Sequence, residues 1–309
     1  MIMNEKLPII TVTCYRDLPL LELQAQSINL YLDKSCPVWI VVNEQDTANW
    51  FDQFDKNIRH YYNDHELNIL TLNDFDGEWN HWIPSLVNPW AVGWETQQVL
   101  KLAVASKISA KSYLVLDSQN VLFKDWSPNK YFIDQRVPCR SGTFVMPLEI
   151  WNDYSKSLGI TIDLPDSDSV SMCTPIFFNT ELVRSLIKET GGEQGFTSWF
   201  KNASKIKSEF ILYVLWAEKQ GGLNKFHNMI PVPEDWASPY LRDCNTEQEF
   251  EEFISFVGVH PPHSWISINH RAWGNMSTAQ YQRLLEKLAT YKLVPRFNEY
   301  RSSYVDLKF

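Results

Sequence analysis

The stretch YLVLDSQNVLF, Tyr113 to Phe123, is an apolar run broken by four consecutive polar residues, Asp117, Ser118, Gln119 and Asn120. Apolar residues resume at once with Val121, Leu122 and Phe123. A strand running out into solvent has no need to return to the apolar pattern, so these polar groups read as placed for a purpose. What purpose depends on the kind of strand that ends at Asp117.

The chain before it alternates strand and helix patterns. Pro8 to Thr13 is β-rich, and Asp17-Leu-Pro19 after it reads as an N-cap with proline in the first helical turn. Leu20, Leu23, Ser27, Ile28 and Tyr31 follow at helical spacing, and PVWIVV, Pro37 to Val42, is a second buried strand. Strand, helix and strand within roughly forty residues is the signature of a parallel sheet. Thr47 to His60 predicts a helix, and Asn68 to Leu72 a third strand. A tryptophan-rich loop then leads to a helix over Glu95 to Ser106, which feeds the strand Ser112 to Leu116. Three polar clusters therefore trail predicted strands: Thr13 to Asp17, Asn43 to Asp46, and Asp117 to Asn120. In an open α/β sheet ligands bind at the carboxyl ends of the strands, so one nucleotide-type pocket is expected there.

The second half mixes short segments. Cys173 to Phe178 predicts a strand, Thr180 to Glu189 a helix stopped by Gly191 and Gly192, and Ser208 caps a helix over EFILYVLWAEKQ. FISFVGVH, Phe253 to His260, reads as a strand, and Ser277 with Gln280 forms a capping box for a last helix reaching about Tyr291. No repeat or low-complexity linker divides the chain. The expectation is a single domain over 1–309, with 1–125 as the nucleotide-binding half and 126–309 as the acceptor-side half with C-terminal helices.

Composition narrows the function classes. With 44% hydrophobic residues the 309-residue chain is globular. A net charge of −9 without a dense Lys/Arg block argues against nucleic acid or an anionic membrane as the main partner. Five scattered cysteines form no CxxC pair, which fits free thiols in a reducing compartment. With no leader pattern and no run of about eighteen apolar residues, a soluble cytoplasmic protein is expected, peripheral membrane association remaining open. There is no GxSxG elbow, Walker A loop or HExxH pair, and no GxGxxG follows the first strand.

A carboxylate directly after an apolar strand, with a second oxygen ligand close by, is how many proteins hold a hard divalent cation against a diphosphate. At this point the sequence resembles the GT-A glycosyltransferases, whose mark is an apolar strand ending in Asp-x-Asp. TVTCYRDLPLLELQAQSINLYL looks like that family's first strand and helix, and VWIVVNEQD like its second strand. GWETQQVLKLAVASKISAKSYLVLDSQNVLF is similar to a block in GT-A-like proteins of bacterial surface-polysaccharide gene clusters. The likeness is good from Ile9 to Phe123. Beyond, it thins to TPIFFNTELV, SEFILYVLW and FVGVH.

The resemblance implies a GT-A-like, Rossmann-related α/β fold, with a mixed, mainly parallel sheet flanked by helices. It implies a nucleotide-sugar donor, a glycan or glycolipid acceptor, and Mn²⁺ or Mg²⁺ held by Asp117 with Gln119, Asn120 and a late-arriving His260. The sequence departs from the pattern where Gln119 replaces the second aspartate, because an amide adds no negative charge to hold the cation. Thr13, Tyr15, Asp17, Asn43 and Glu44 would border the nucleoside, Gln97 and Ser118 would join the donor pocket, and Lys101 would neutralise phosphate. Glu209 is the candidate base, with Asp117 the anchor at the reacting centre.

Each assignment has a plainer counterpart. Asp17 would serve as an N-cap, Glu209 as a first-turn acid favoured by the helix dipole, and His260 or His263 as turn residues beside Pro261 and Pro262. Asn43 and Glu44 would simply be solvated, as would a helix face carrying Gln97, Gln98 and Lys101. Trp79, Trp82, Trp90 and Trp94 would form a sugar-stacking wall or an aromatic core patch. Two further functions stay open: a sugar nucleotidyltransferase and a non-catalytic nucleotide-sugar binding protein.

Overall fold

The computed structural model describes residues 6–44, 47–77, 89–132, 136–140, 148–161, 174–230, 239–257 and 264–294. In chain order these form β1 (Ile9–Thr13), α1 (Leu18–Tyr31), β2 (Val38–Val42), α2 (Ala48–Asn57), β3 (Leu67–Thr71), α3 (Pro89–Ala103), β4 (Ser112–Asp117), β5 (Asn120–Leu122) and β6 (Val137–Arg140). There follow α4 (Leu148–Ser157), β7 (Ile176–Asn179), α5 (Thr180–Glu189), α6 (Gly192–Ala203), α7 (Glu209–Lys219), β8 (His227–Ile230) and β9 (Tyr240–Leu241). The last elements are α8 (Glu247–Phe256), β10 (Trp265–Ile268), α9 (His270–Asn275) and α10 (Thr278–Thr290).

The central sheet has the order β3-β2-β1-β4-β7. β1, β2, β3 and β4 are mutually parallel, and β7 closes the edge antiparallel to β4. β-Branched runs such as IITVT and VWIVV suit strands buried on both faces, and every residue of β1 is buried. Because the strand order reverses between β1 and β4, the chain leaves these neighbours in opposite directions, and the carboxyl ends at such a switch point are where open α/β sheets bind ligands. Val12 lies opposite Asp117 in the register, so Thr13 ends its strand beside the polar run.

That run is the hinge between two sheets. After Asp117 the chain turns through Ser118 and Gln119 and enters β5, which pairs antiparallel with β10 in a separate three-stranded sheet. Helix α1 lies between the two sheets. Leu18, Leu21, Ala25 and Ile28 join the core under β1, β2 and β4, whereas Leu20 and Leu23 join the one formed by β5, β10 and α10. All residues from Leu18 to Ile28 are buried, as expected of a helix covered on several sides. A third core, on the other face of the central sheet, is built from α3, α5, α6 and α7.

Two sequence expectations fail here. Phe253 to Phe256 is the end of helix α8 rather than the start of a strand, and α8 opens on a capping box made by Thr246 and Glu249. Asp17 precedes α1 but its side chain accepts no capping bond; Pro19 holds the first turn as anticipated. The expected caps at Ser208 and Ser277 are present, accepting from the backbone of Ile211 and Gln280, and α5 has the expected bounds.

Candidate active site

Asp117 ends β4 with its side chain 29% exposed. Its Oδ1 lies 2.8 Å from Lys101 Nζ, and its Oδ2 accepts a 2.8 Å hydrogen bond from Thr174 Oγ1. Lys101 comes from the sheet-facing side of α3, is 3% exposed, and reaches 2.9 Å on its other side to Glu209 Oε1 at the start of α7. Glu209 is 0% exposed. With its amide nitrogen turned toward that carboxylate, the buried Gln98 donates to Glu209 as well. The aromatic face of Phe210 lies 5.4 Å from Lys101 Nζ, and Tyr113 Oη donates to the Lys101 carbonyl at 2.9 Å.

A charge in such a place is tolerated only when paired. Burial alone would lower the Lys101 pKa, but Asp117 and Glu209 outweigh it and drive the value up, which favours the ammonium form. Burial pushes the Glu209 carboxyl up against the opposing pull of Lys101. The face expected to be solvated is thus largely interior: Gln98 and Lys101 are buried, and Gln97 is half-buried beside Asp17.

The polar turn is fixed from beneath. Gln24 Nε2, in the middle of α1, donates to the carbonyls of Asp117 (2.7 Å) and Asn120 (3.1 Å), while Thr11 Oγ1 donates to Gln24 Oε1 at 2.8 Å. Asn120 is fully buried. Its Oδ1 accepts from the Asp117 N–H at 2.7 Å and its Nδ2 donates to Ser267 Oγ at 2.6 Å. The expectation that Asn120 ligates a cation is therefore corrected: its amide closes the turn and ties β5 to β10. Gln119 Oε1 accepts from Asn269 Nδ2 at 3.2 Å, and the same Nδ2 donates to Tyr240 Oη at 2.9 Å.

The loops after β1 and β2 are coupled at the same edge. Glu44 Oε1 accepts from the Tyr15 N–H at 2.8 Å, and Asn43 Nδ2 donates to the Gly93 carbonyl in α3 at 2.7 Å. Tyr15 itself is exposed. Burial raises the Asp17 pKa against the influence of Arg16, with Cys14 and Gln97 as hydrogen-bond partners of its carboxyl. The hydroxyls of Thr13 and Ser118, at the ends of β1 and β4, are buried without a hydrogen-bond partner among the described residues. Buried polar groups are ordinarily satisfied, so two orphans flanking the crevice are what a ligand-binding edge would leave.

The structure thus brings Thr13, Asp17, Gln97, Lys101, Asp117, Ser118 and Gln119 to one end of the sheet, with Tyr15, Asn43 and Glu44 on the adjoining loops. His260, His263, Trp79 and Trp82 lie outside the described residues, as does the side chain of Trp90; Trp94 is exposed. Several neighbours were not foreseen: Gln24, Thr174, Tyr240, Asn269 and His270. Burial and the nearby Arg16 guanidinium hold His270, at the start of α9, down at about 4. Only Gln24 carried a sequence signal, a polar residue amid the apolar positions of α1. The rest reach the site from distant segments.

Among the described residues the groups around Asp117 do not fit a divalent cation; His260, expected as a ligand, lies outside them. Both Asp117 oxygens are engaged, one by an ammonium, and Asn120 is sealed in the turn. Among the described residues no group of three or more His, Cys, Asp or Glu could hold a metal. Nor, among them, is any helix long and apolar enough to cross a membrane.

The fold is GT-A-like, and the solved structures it resembles are glycosyltransferases. The galactosyltransferase LgtC, solved with donor and acceptor sugar analogues, aligns with 96% of this chain and 99% of its own at a TM-score of 0.50 and 12% identity. The bifunctional glycosyltransferase WbbM aligns with 99% of the chain at a TM-score of 0.49 and 13% identity. This chain spans only 52% of WbbM. GlyE of Streptococcus pneumoniae TIGR4 aligns with 97% of this chain and 64% of its own at a TM-score of 0.44 and 9% identity. The chain belongs to the family of unknown function DUF6492, whose model matches residues 5–259. No curated protein matches it.

Proposed function

We propose that the chain is a glycosyltransferase that moves a sugar from a nucleotide-sugar donor to an acceptor hydroxyl on a glycan or glycolipid, in the building of a surface polysaccharide. The observation that carries this reading is the position of Asp117, partly exposed at the β1/β4 switch point beside the orphaned Thr13 and Ser118 hydroxyls. The loop Tyr15–Asp17, braced by Glu44, would border the nucleoside, and the diphosphate would lie toward Ser118. In the transfer the acceptor oxygen bonds to the anomeric carbon while the bond from that carbon to the phosphate oxygen breaks. The electron pair leaves on the nucleoside diphosphate, whose phosphate oxygen takes up the proton that the acceptor hydroxyl releases.

Glu209, expected as the base for that proton, presents no surface to an acceptor. The role we give it is to position Lys101, and through Lys101 the carboxylate of Asp117. The pairing of Asp117 with Lys101 also favours a second reading, a protein that binds nucleotide sugars without turning them over. Incubation with a panel of nucleotide sugars and acceptors separates these. Released nucleoside diphosphate supports transfer, pyrophosphate would instead indicate a sugar nucleotidyltransferase, and binding without turnover supports the second reading. Asp117→Ala should abolish both donor binding and turnover; unaltered behaviour in that variant refutes the proposed anchor.

A further inference from the structure

We infer that the aromatic ring of Tyr240 is the surface on which a sugar ring packs at this site. This rests on the nucleotide-sugar reading and adds to it a residue that grips the carbohydrate itself.

Tyr240 is 47% exposed, and a single exposed aromatic residue is ordinarily unremarkable. Here both of its ends are fixed. Its backbone in β9 is pinned on either side, where the Ser267 N–H donates to the Pro239 carbonyl at 2.9 Å and the Asn269 N–H to the Leu241 carbonyl at 3.0 Å. Its hydroxyl accepts from Asn269 Nδ2 at 2.9 Å. That amide has a set orientation, because its Oδ1 accepts from the Arg271 N–H at 3.0 Å and its Nδ2 also serves Gln119 at 3.2 Å. The phenol is thereby tied to the side chain two residues past Asp117. Burial raises its pKa, and the Asp117 carboxylate lies near enough to add to the rise. With the hydroxyl so engaged, the surface left open belongs chiefly to the ring. A pyranose has weakly positive C–H groups on its faces, which suit the negative face of an aromatic ring, and hydroxyls around its rim, which suit a carboxylate and an amide such as those of Asp117 and Gln119. A ring held in place before the ligand arrives loses little freedom on binding. The sugar can come from the donor or from the acceptor, and the chemistry of the platform is the same for both.

The test is saturation-transfer difference NMR on the full chain, with methyl glycosides of glucose, galactose, mannose, rhamnose and N-acetylglucosamine in one arm and the UDP and GDP sugars in the other. Wild type should transfer magnetisation to sugar C–H protons. Tyr240→Phe, which keeps the ring, should retain that signal, and Tyr240→Ala should weaken it about threefold or more. Signal from the free glycosides assigns the platform to the acceptor's sugar; signal confined to the sugar protons of the nucleotide sugars assigns it to the donor's. Equal signal in wild type and Tyr240→Ala overturns the inference, as does wild-type protein that gives no sugar signal with any probe. A loss in Tyr240→Phe as large as in Tyr240→Ala also overturns it, because the hydroxyl bracing Asn269 would then be the working part. Should Tyr240→Ala not fold, Tyr240→Leu gives the same comparison. Calorimetry with UDP, GDP, ADP and CDP tests the underlying reading separately. If wild type binds none of these nucleotides, the nucleotide-sugar reading falls, while a glycoside signal that depends on Tyr240 leaves the role of the ring standing.

Discussion

At the residue scale the site turns on one buried cation with two anions. Lys101→Met leaves the fully buried Glu209 without its countercharge, only Gln98 still donating to it, and removing one member of such a pair costs about 3–5 kcal/mol. The double variant with Glu209→Leu should recover most of that loss, because an apolar replacement of both partners carries no stranded charge. Urea unfolding of the two variants checks the ordering; equal stability of the single variant and wild type would mean that the pair contributes little. Asp117 was legible in the sequence because a lone carboxylate closing an apolar strand is a local pattern. The pairing of Lys101 with Glu209 was not, since 108 residues separate them, and Thr174 lies 57 residues from Asp117. Sequence placed Lys101 on a helix but could not say which face of that helix the sheet would cover.

At the element scale the β4–β5 turn and helix α8 are instructive. Gln24 satisfies two carbonyls of the turn and one threonine hydroxyl, all with low access to water. Gln24→Ala should cost about 1–3 kcal/mol by leaving these groups unpaired, read as a lower urea midpoint with an unchanged slope; a neutral effect would show the turn to be held by Asn120 alone. Helix α8 was misread because its pattern was entered too late. Starting at Phe253, the residues FISFV resemble a strand, yet the buried positions Phe250, Phe253, Ile254 and Val257 fall at i, i+3, i+4 and i+7, which is helical spacing. The box of Thr246 and Glu249, with Glu249 returning a bond to the Thr246 N–H, was the missed start signal. Thr246→Ala should destabilise the protein by about 0.5–2 kcal/mol, measured by thermal unfolding, and no change in midpoint would contradict that role.

At the scale of the whole molecule, the parallel half of the fold was readable because strand and helix periods alternate regularly from Ile9 to Asp117. The short strands β5, β9 and β10 were not, because a few residues carry too little period to separate strand from loop, and their pairing is set by α1 lying between the sheets. A second long-range tie predicts pH dependence. Tyr213 Oη accepts from the Asn179 N–H at 2.9 Å and lies 2.5 Å from His227 Nε2, joining α7, β7 and β8. Burial holds that histidine down at about 4, from an ordinary value of about 6.5. Between those values the unfolded chain binds the extra proton and the folded chain does not, so stability falls as pH drops through this window. The loss reaches about 3 kcal/mol near pH 4. His227→Asn should flatten this acid limb in urea titrations from pH 7 to pH 4; an unchanged limb would assign the dependence elsewhere.

The central claim is spatial: the carboxyl ends of β1 and β4 form the donor crevice. A crystal soaked with a non-hydrolysable nucleotide-sugar analogue tests it most directly. The account predicts diphosphate density beside Ser118 and Asp117, with the nucleoside against the Tyr15–Asp17 loop. Density at any other place on the molecule, with this edge of the sheet left to solvent, would contradict it.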